Sequence, residues 1–167
     1  VTTPAEVLAR AQQAIGQGCV YRLGKGGYDP KQPYPWSTPA KLCDCSGFAA
    51  WCLGASRKTD SPWYKTYNGG WLETTAIVRD CGTNFGLFDP VAWLKARPSD
   101  FVVYGDKDGH QGHVGVIATV NSLGPLTVIH CSSGNFKRAA DAIQETAATP
   151  WVARNGIVAR CAYVLAG

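Results

Sequence analysis

Residues 43–48 read Cys43-Asp44-Cys45-Ser46-Gly47-Phe48, a polar residue and a thiol at the head of an apolar helical run. Behind them Phe48, Trp51, Cys52 and Ala55 recur at helical spacing, with Gly54 near the end. Far downstream, His113-Val114-Gly115-Val116 and Val128-Ile129-His130 sit in runs of β-branched residues that read as strands. Helices first and strands afterwards indicate an α+β architecture, N-terminal helices packed on a central antiparallel β-sheet. The same three stretches carry a chemistry. A cysteine nucleophile needs a base within reach, and that base needs a third polar group to hold its ring. Cys45, His113 and His130 supply those roles in that order.

Asp44 can cap the helix that Cys45 begins. A helix N-terminus presents free N–H groups and partial positive charge, which favour thiolate over thiol, so Cys45 is expected to be ionised. Burial as a small hydrophobe is the ordinary fate of a single cysteine; the two downstream histidines shift the balance. Asn121–Pro125 reads as the turn of a hairpin joining their strands. The two rings share a face only if the loop holds an even number of residues. A four-residue loop, Asn121 to Gly124, satisfies this and leaves Pro125 at a strand end, where proline is tolerated. His130 then lies diagonally across from His113, close enough to hydrogen-bond its ring. His110 precedes His113 by three residues among Gly109, Gln111 and Gly112, which places it on a loop and not in the base's position.

Elsewhere the chain reads as one domain, residues 1–167, without repeats. Thr3-Pro4-Ala5-Glu6 has the cap, first-turn proline and reciprocal glutamate of a helix start, followed by a Val7, Leu8, Ala11, Ile15 stripe that Gly16 and Gly18 end. Residues 22–42 form a long Gly-, Pro- and Lys-rich loop leading into the thiol segment. Residues 60–88 mix aromatics with glycines, and Asp89-Pro90 is read as opening a short helix through Trp93 and Leu94. Strands are expected at Phe101–Tyr104, Val114–Val120, Leu126–Cys131 and Ile157–Leu165, with a helix over 137–148 around Ala140, Ile143 and Ala147. Asp100 reads as a turn or strand-start residue.

Composition excludes some partners. The net charge of +4 is thinly spread, and Lys137-Arg138 is too short for a nucleic-acid footprint. No stretch approaches the ~18 apolar residues a membrane helix needs. No signal peptide is visible, and the start at Val1 instead of Met suggests processing or an excised domain. Seven cysteines leave six beside Cys45, compatible either with disulfides in an oxidising compartment or with buried reduced thiols. Cys43 and Cys45 are too close in sequence to bond each other without strain.

The chain resembles the NlpC/P60 family of papain-like cysteine peptidases, which act mostly on bacterial peptidoglycan. The resemblance rests on Asp44-Cys45-Ser46-Gly47-Phe48, His113-Val114-Gly115-Val116, Val128-Ile129-His130, Tyr21 upstream, and Arg97-Pro98-Ser99-Asp100 ahead of an apolar strand. It spans about residues 8–165. It departs from the family pattern in three places: Ser99 stands for a usual glycine, Val20 for a proline before Tyr21, and the loop before the nucleophile is longer. The resemblance implies a papain-like fold, with Cys45 as nucleophile, His113 as base and then acid, and His130 as its orienting partner. Tyr21 would be an oxyanion donor, while Asp44 and Ser46 would hold the substrate. It further implies a monomeric peptidoglycan or muropeptide hydrolase without cofactor or metal, secreted, periplasmic or cell-wall associated. Its expected target is the γ-D-glutamyl–diaminopimelate bond. Competing readings are an N-acetylmuramoyl-L-alanine amidase on the same scaffold, a zinc module using Cys43, Cys45, His110 and His113, and a non-catalytic wall-binding module gripping its ligand with Trp63, Tyr64, Tyr67 and Trp71.

Overall fold

The computed structural model describes residues 2–83 and 85–162. The chain opens with α1 (Pro4–Gln13), started by the expected capping box: the Glu6 N–H donates to the Thr3 hydroxyl, and the Thr3 N–H donates to the Glu6 carboxylate. Its Val7 and Ala11 are buried. A short strand β1 (Val20–Tyr21) pairs in parallel with β2 (Leu42–Cys43). The two bracket the long loop that the composition of residues 22–42 requires.

Directly after β2, α2 (Cys45–Cys52) begins with Asp44 as its cap, and every one of its eight residues is buried. A helix whose residues are apolar but for the hydrogen-bonded Ser46 belongs inside a core. It packs on the sheet strands β5 (His113–Asn121) and β6 (Gly124–Cys131) and against α1. The aromatic segment that follows holds two helices that composition alone does not announce, α3 (Pro62–Asn68) and α4 (Thr74–Asp80).

The sheet has six antiparallel strands in the order β3 (Phe88–Val91), β8 (Ile157–Cys161), β4 (Phe101–Tyr104), β5, β6, β7 (Ile143–Ala147). Two further helices, α5 (Ser133–Ala139) and α6 (Thr149–Ala153), flank β7 in sequence. One face of the sheet buries Val103, Val114, Val116 and Ile129 against α1 and α2. The opposite face buries Val102, Ile117, Val128 and Val158 under Trp151 of α6. The architecture is therefore α+β, with the N-terminal helices on one side of an antiparallel sheet.

The hairpin keeps the register expected of it. Val120 pairs with Pro125 and Val116 with Ile129, and Asn121 and Gly124 also join the ladder, tightening the turn to Ser122-Leu123. An irregularity around Ala118 leaves that register unchanged at both ends.

Two expectations are corrected. Asp89-Pro90 opens no helix: Phe88–Val91 is an edge strand, where a proline's missing N–H costs no ladder bond, and a 3-10 turn (Trp93–Lys95) follows. The helix expected over 137–148 is instead the end of α5, a left-handed residue at Ala140 (φ 54°), and then β7. There Ile143 is buried, while Glu145 and Ala147 on the same face are exposed and Gln144 and Thr146 on the other are half-buried, the partial cover of an edge strand. The last strand is described over Ile157–Cys161, and the expected extension through Leu165 passes beyond the described residues.

Ser99 adopts φ 78°, the left-handed conformation that favours glycine, so serine stands in a glycine's geometry there. Asp100 is structural: its carboxylate takes Nε and Nη2 of Arg160, both at 2.8 Å, and the Arg97 N–H. Of the two possibilities for the cysteines, the structure holds Cys19, Cys43, Cys45, Cys52, Cys81 and Cys131 as buried free thiols.

Candidate active site

Cys45 is the first residue of α2, and its side chain is only 6% exposed. The segment that carries it is clamped by one carboxylate. Asp44 Oδ1 accepts the Gly47 N–H (2.8 Å) and the Ser46 hydroxyl (3.3 Å). Its Oδ2 accepts the Gly24 N–H (2.6 Å) and Nη2 of Arg57 (3.0 Å). Arg57 returns to the loop through Nη1, which donates to the Lys25 and Gly26 carbonyls. Its guanidinium lies over the rings of Tyr28 and Trp71. The pair is buried, and removing either partner would strand the other charge.

Gly47 has a separate reason to be glycine. A Cβ there would lie 2.7 Å from the carbonyl oxygens of Gly26 and Lys25, and one on Gly27 would lie 2.1 Å from the Gly47 oxygen. Helix and loop therefore meet main chain to main chain.

On the sheet side, His113 opens β5, and its Nε2 lies 2.7 Å from Nδ1 of His130 on β6. His130 Nε2 in turn lies 2.9 Å from the Thr146 hydroxyl on β7. The neighbouring Asn135 amide nitrogen has two hydrogens, and they go to the carbonyls of His130 (3.0 Å) and Ala142 (3.2 Å). That leaves His130 Nε2–H to donate to Thr146, Nδ1 to accept, and His113 Nε2–H to donate. The assignment comes from this network, and it leaves His113 Nδ1 unprotonated and able to take a proton. Trp151 completes the pocket, stacked on His113 and edge-on to His130. Gly115, between His113 and the core, leaves room for this pair: a Cβ there would lie 2.9 Å from the Cβ of His130.

The two halves border neighbouring cavities that share three lining residues. Cys45, Asp44, Ser46, Arg57 and Trp71 line one cavity. His113, His130, Arg138, Thr146 and Trp151 line another of about 600 Å³, and Tyr21, Gln111 and Gly112 line both. The backbone N–H of Val114, one residue after His113, faces the Cys45 sulfur together with that of Ser46.

Protonation departs from the expected thiolate. Burial pushes the Cys45 thiol up to about 12, the Asp44 carboxylate adds to the effect, and the two N–H groups and Arg57 oppose it without prevailing. Burial also holds His113 down at about 4 and His130 at about 3. Thiol and imidazole therefore rest neutral at pH 7. A helix tip favours a thiolate only where water or a cation helps it, and a nearly closed, carboxylate-flanked site offers too little of either.

The other expected positions divide. Tyr21 borders both cavities, and burial, then the nearby Cys45 and Asp44, raises its phenol well above the ordinary value, so its hydroxyl stays a donor. Asp44 already receives four hydrogen bonds from the protein, so its part is to hold the loop rather than to grip a ligand directly. Ser46 is tied into the same network, accepting from Arg57 Nη2 at 3.2 Å. His110 lies exposed on a turn, as expected.

The four residues of the zinc reading do not converge. The Cys43 thiol bonds to the Asp44 carbonyl inside the core, among Cys19 and Cys131, and His110 lines a different cavity from Cys45. Among the described residues no three His, Cys, Asp or Glu side chains are grouped to hold a metal ion. Of the four aromatics proposed to grip a wall ligand, Tyr64 is fully buried on Asp80, and Trp63 stacks on Tyr67.

Sequence motifs give no signal for Arg57, Thr146, Asn135 or Trp151, which complete the site from a loop, β7, α5 and α6. No protein-family model matches the chain, and no curated protein matches it. No helix among the described residues is long and apolar enough to cross a membrane.

Proposed function

We propose that the chain is a papain-like cysteine peptidase of the NlpC/P60 type that hydrolyses peptidoglycan stem peptides at the γ-D-glutamyl–diaminopimelate bond, working at the cell wall as a monomer without a cofactor. The observation that carries this reading is the hydrogen-bonded chain from Thr146 through His130 to His113, which lines a cavity sharing Tyr21, Gln111 and Gly112 with the neighbouring cavity lined by Cys45.

Because the resting pair is neutral, His113 acts as a general base when substrate excludes the remaining water. It takes the thiol proton as sulfur attacks the amide carbonyl. The developing oxyanion is met by the Cys45 N–H and the Tyr21 hydroxyl; losing one such donor costs ~3 kcal/mol in the barrier. His113 then passes its proton to the leaving amine, the C–N bond breaks, and a thioester remains on Cys45. Water attacks the thioester carbonyl, gives a proton to His113, and releases the acid and the thiol. His130 keeps the imidazole's Nε2 hydrogen pointed away from the sulfur throughout.

Digestion of purified peptidoglycan with the wild type and with Cys45→Ala, followed by mass spectrometry of the fragments, tests the reading. A new diaminopimelate amine, produced by the wild type alone, is expected. A new N-terminal alanine would assign the amidase reaction, and identical background products from both proteins would falsify hydrolysis altogether.

A further inference from the structure

The proposed reaction, on which this inference rests, gives the cleft a direction. The acyl half of the substrate becomes attached to Cys45, while the amine half must come within reach of His113 to be protonated. The amine half therefore extends into the cavity on the imidazole side. We propose that Arg138 binds a carboxylate on that amine half and so selects diaminopimelate over lysine as the residue after the scissile bond.

The two cavities differ in charge. The thiol side contains Asp44, Glu73 and Asp106 along with Arg57. The imidazole side is lined by no aspartate or glutamate, and Arg138 is its one arginine or lysine. No acidic side chain pairs with Arg138 among the described residues. The guanidinium is nevertheless held in place: its Nη2 donates to Asn135 Oδ1 at 2.6 Å, and Asn135 is fully buried, with its amide nitrogen bound to the His130 and Ala142 carbonyls. Bracing one nitrogen leaves the other N–H groups of the planar fork for a ligand, the geometry that suits a carboxylate. The Ser133 and Thr149 side chains border the same space. Diaminopimelate carries a second carboxylate at the end of its side chain, where lysine has only an ammonium. The first complements Arg138, and the second is repelled by it.

Three synthetic stem peptides test this, with γ-D-glutamate joined to meso-diaminopimelate, to its side-chain carboxamide, or to L-lysine. For the wild type, kcat/KM should be about five- to tenfold higher with the free carboxylate than with either other peptide, the size expected of one partly solvated charge-assisted contact. Arg138→Ala should level the three, and Arg138→Glu should turn the preference toward lysine. A wild type indifferent to the three, or the same preference in Arg138→Glu, overturns the subsite. If the wild type cleaves none of them, the peptidase reading fails. Calorimetric binding of the three peptides to Cys45→Ala then decides the subsite separately: tighter binding of the carboxylate form supports it, and equal affinities overturn it.

Discussion

The thiol half and the imidazole half of the cleft are built by opposite means. Cys45 is held by a loop folded back on its own helix, with a buried ion pair at the centre and glycines where main chains touch. His113 and His130 are held by a β-ladder, with neutral hydrogen bonds and an indole packed over both rings. A loop has no ladder to fix its path, so its position depends on a few strong, fully satisfied polar contacts. A sheet already fixes its side chains, and apolar packing is enough. The difference has an electrostatic cost. The carboxylate that secures the thiol segment also disfavours the thiolate, and the packing that secures the imidazoles disfavours the imidazolium.

The sharpest break of this comparison removes the base itself. His113→Ala should lower kcat/KM by ~10⁴-fold, about 5.5 kcal/mol, with unfolding nearly unchanged because the ladder holds the strand without the ring. His110→Ala, exposed on its turn, should retain near wild-type turnover. Steady-state kinetics on purified stem peptide read both, and the reverse result would move the base to His110.

Next in size is the thiol half's ion pair. Arg57→Met leaves Asp44 buried and uncompensated, and should cost about 3–5 kcal/mol in urea-unfolding free energy. Adding Asp44→Asn should return part of that loss. A change under ~1 kcal/mol would mean that the loop does not depend on the pair.

The smallest effect concerns the charge state shared by both halves. An acid whose pKa is raised stays protonated until pH approaches that value, so the ionised fraction of Cys45 should climb about tenfold per pH unit from pH 6 to 9. The iodoacetamide alkylation rate, corrected with Cys45→Ala for the equally exposed Cys81, measures it. A plateau across that range would instead reveal a standing thiolate–imidazolium pair.

How much of this was legible in the sequence follows the same division. The helix head at Asp44 and the hairpin register are local: one capping side chain and the parity of one loop decide them, and both stand as expected. The partners that finish the site are not local. Arg57 reaches Asp44 across a helix, and Thr146 reaches His130 from an edge strand whose residues read as helical in sequence. Helix α4 was missed because glutamate, an uncommon cap, starts it: Glu73 accepts the Thr75 and Ala76 N–H groups. The expected thiolate failed for a related reason, since a motif reports a helix tip but not how dry that tip becomes.

The seam between Gly27 and Gly47 has a consequence for anyone who randomises this protein. A side chain on Gly27 would run into the Gly47 backbone, and one on Gly47 into the Lys25 and Gly26 carbonyls, so a library varied at either position should be rescued by no compensating side-chain change at the other. The surviving clones would therefore carry an invariant pair twenty residues apart, a signature that a search by nucleophile motif alone would pass over.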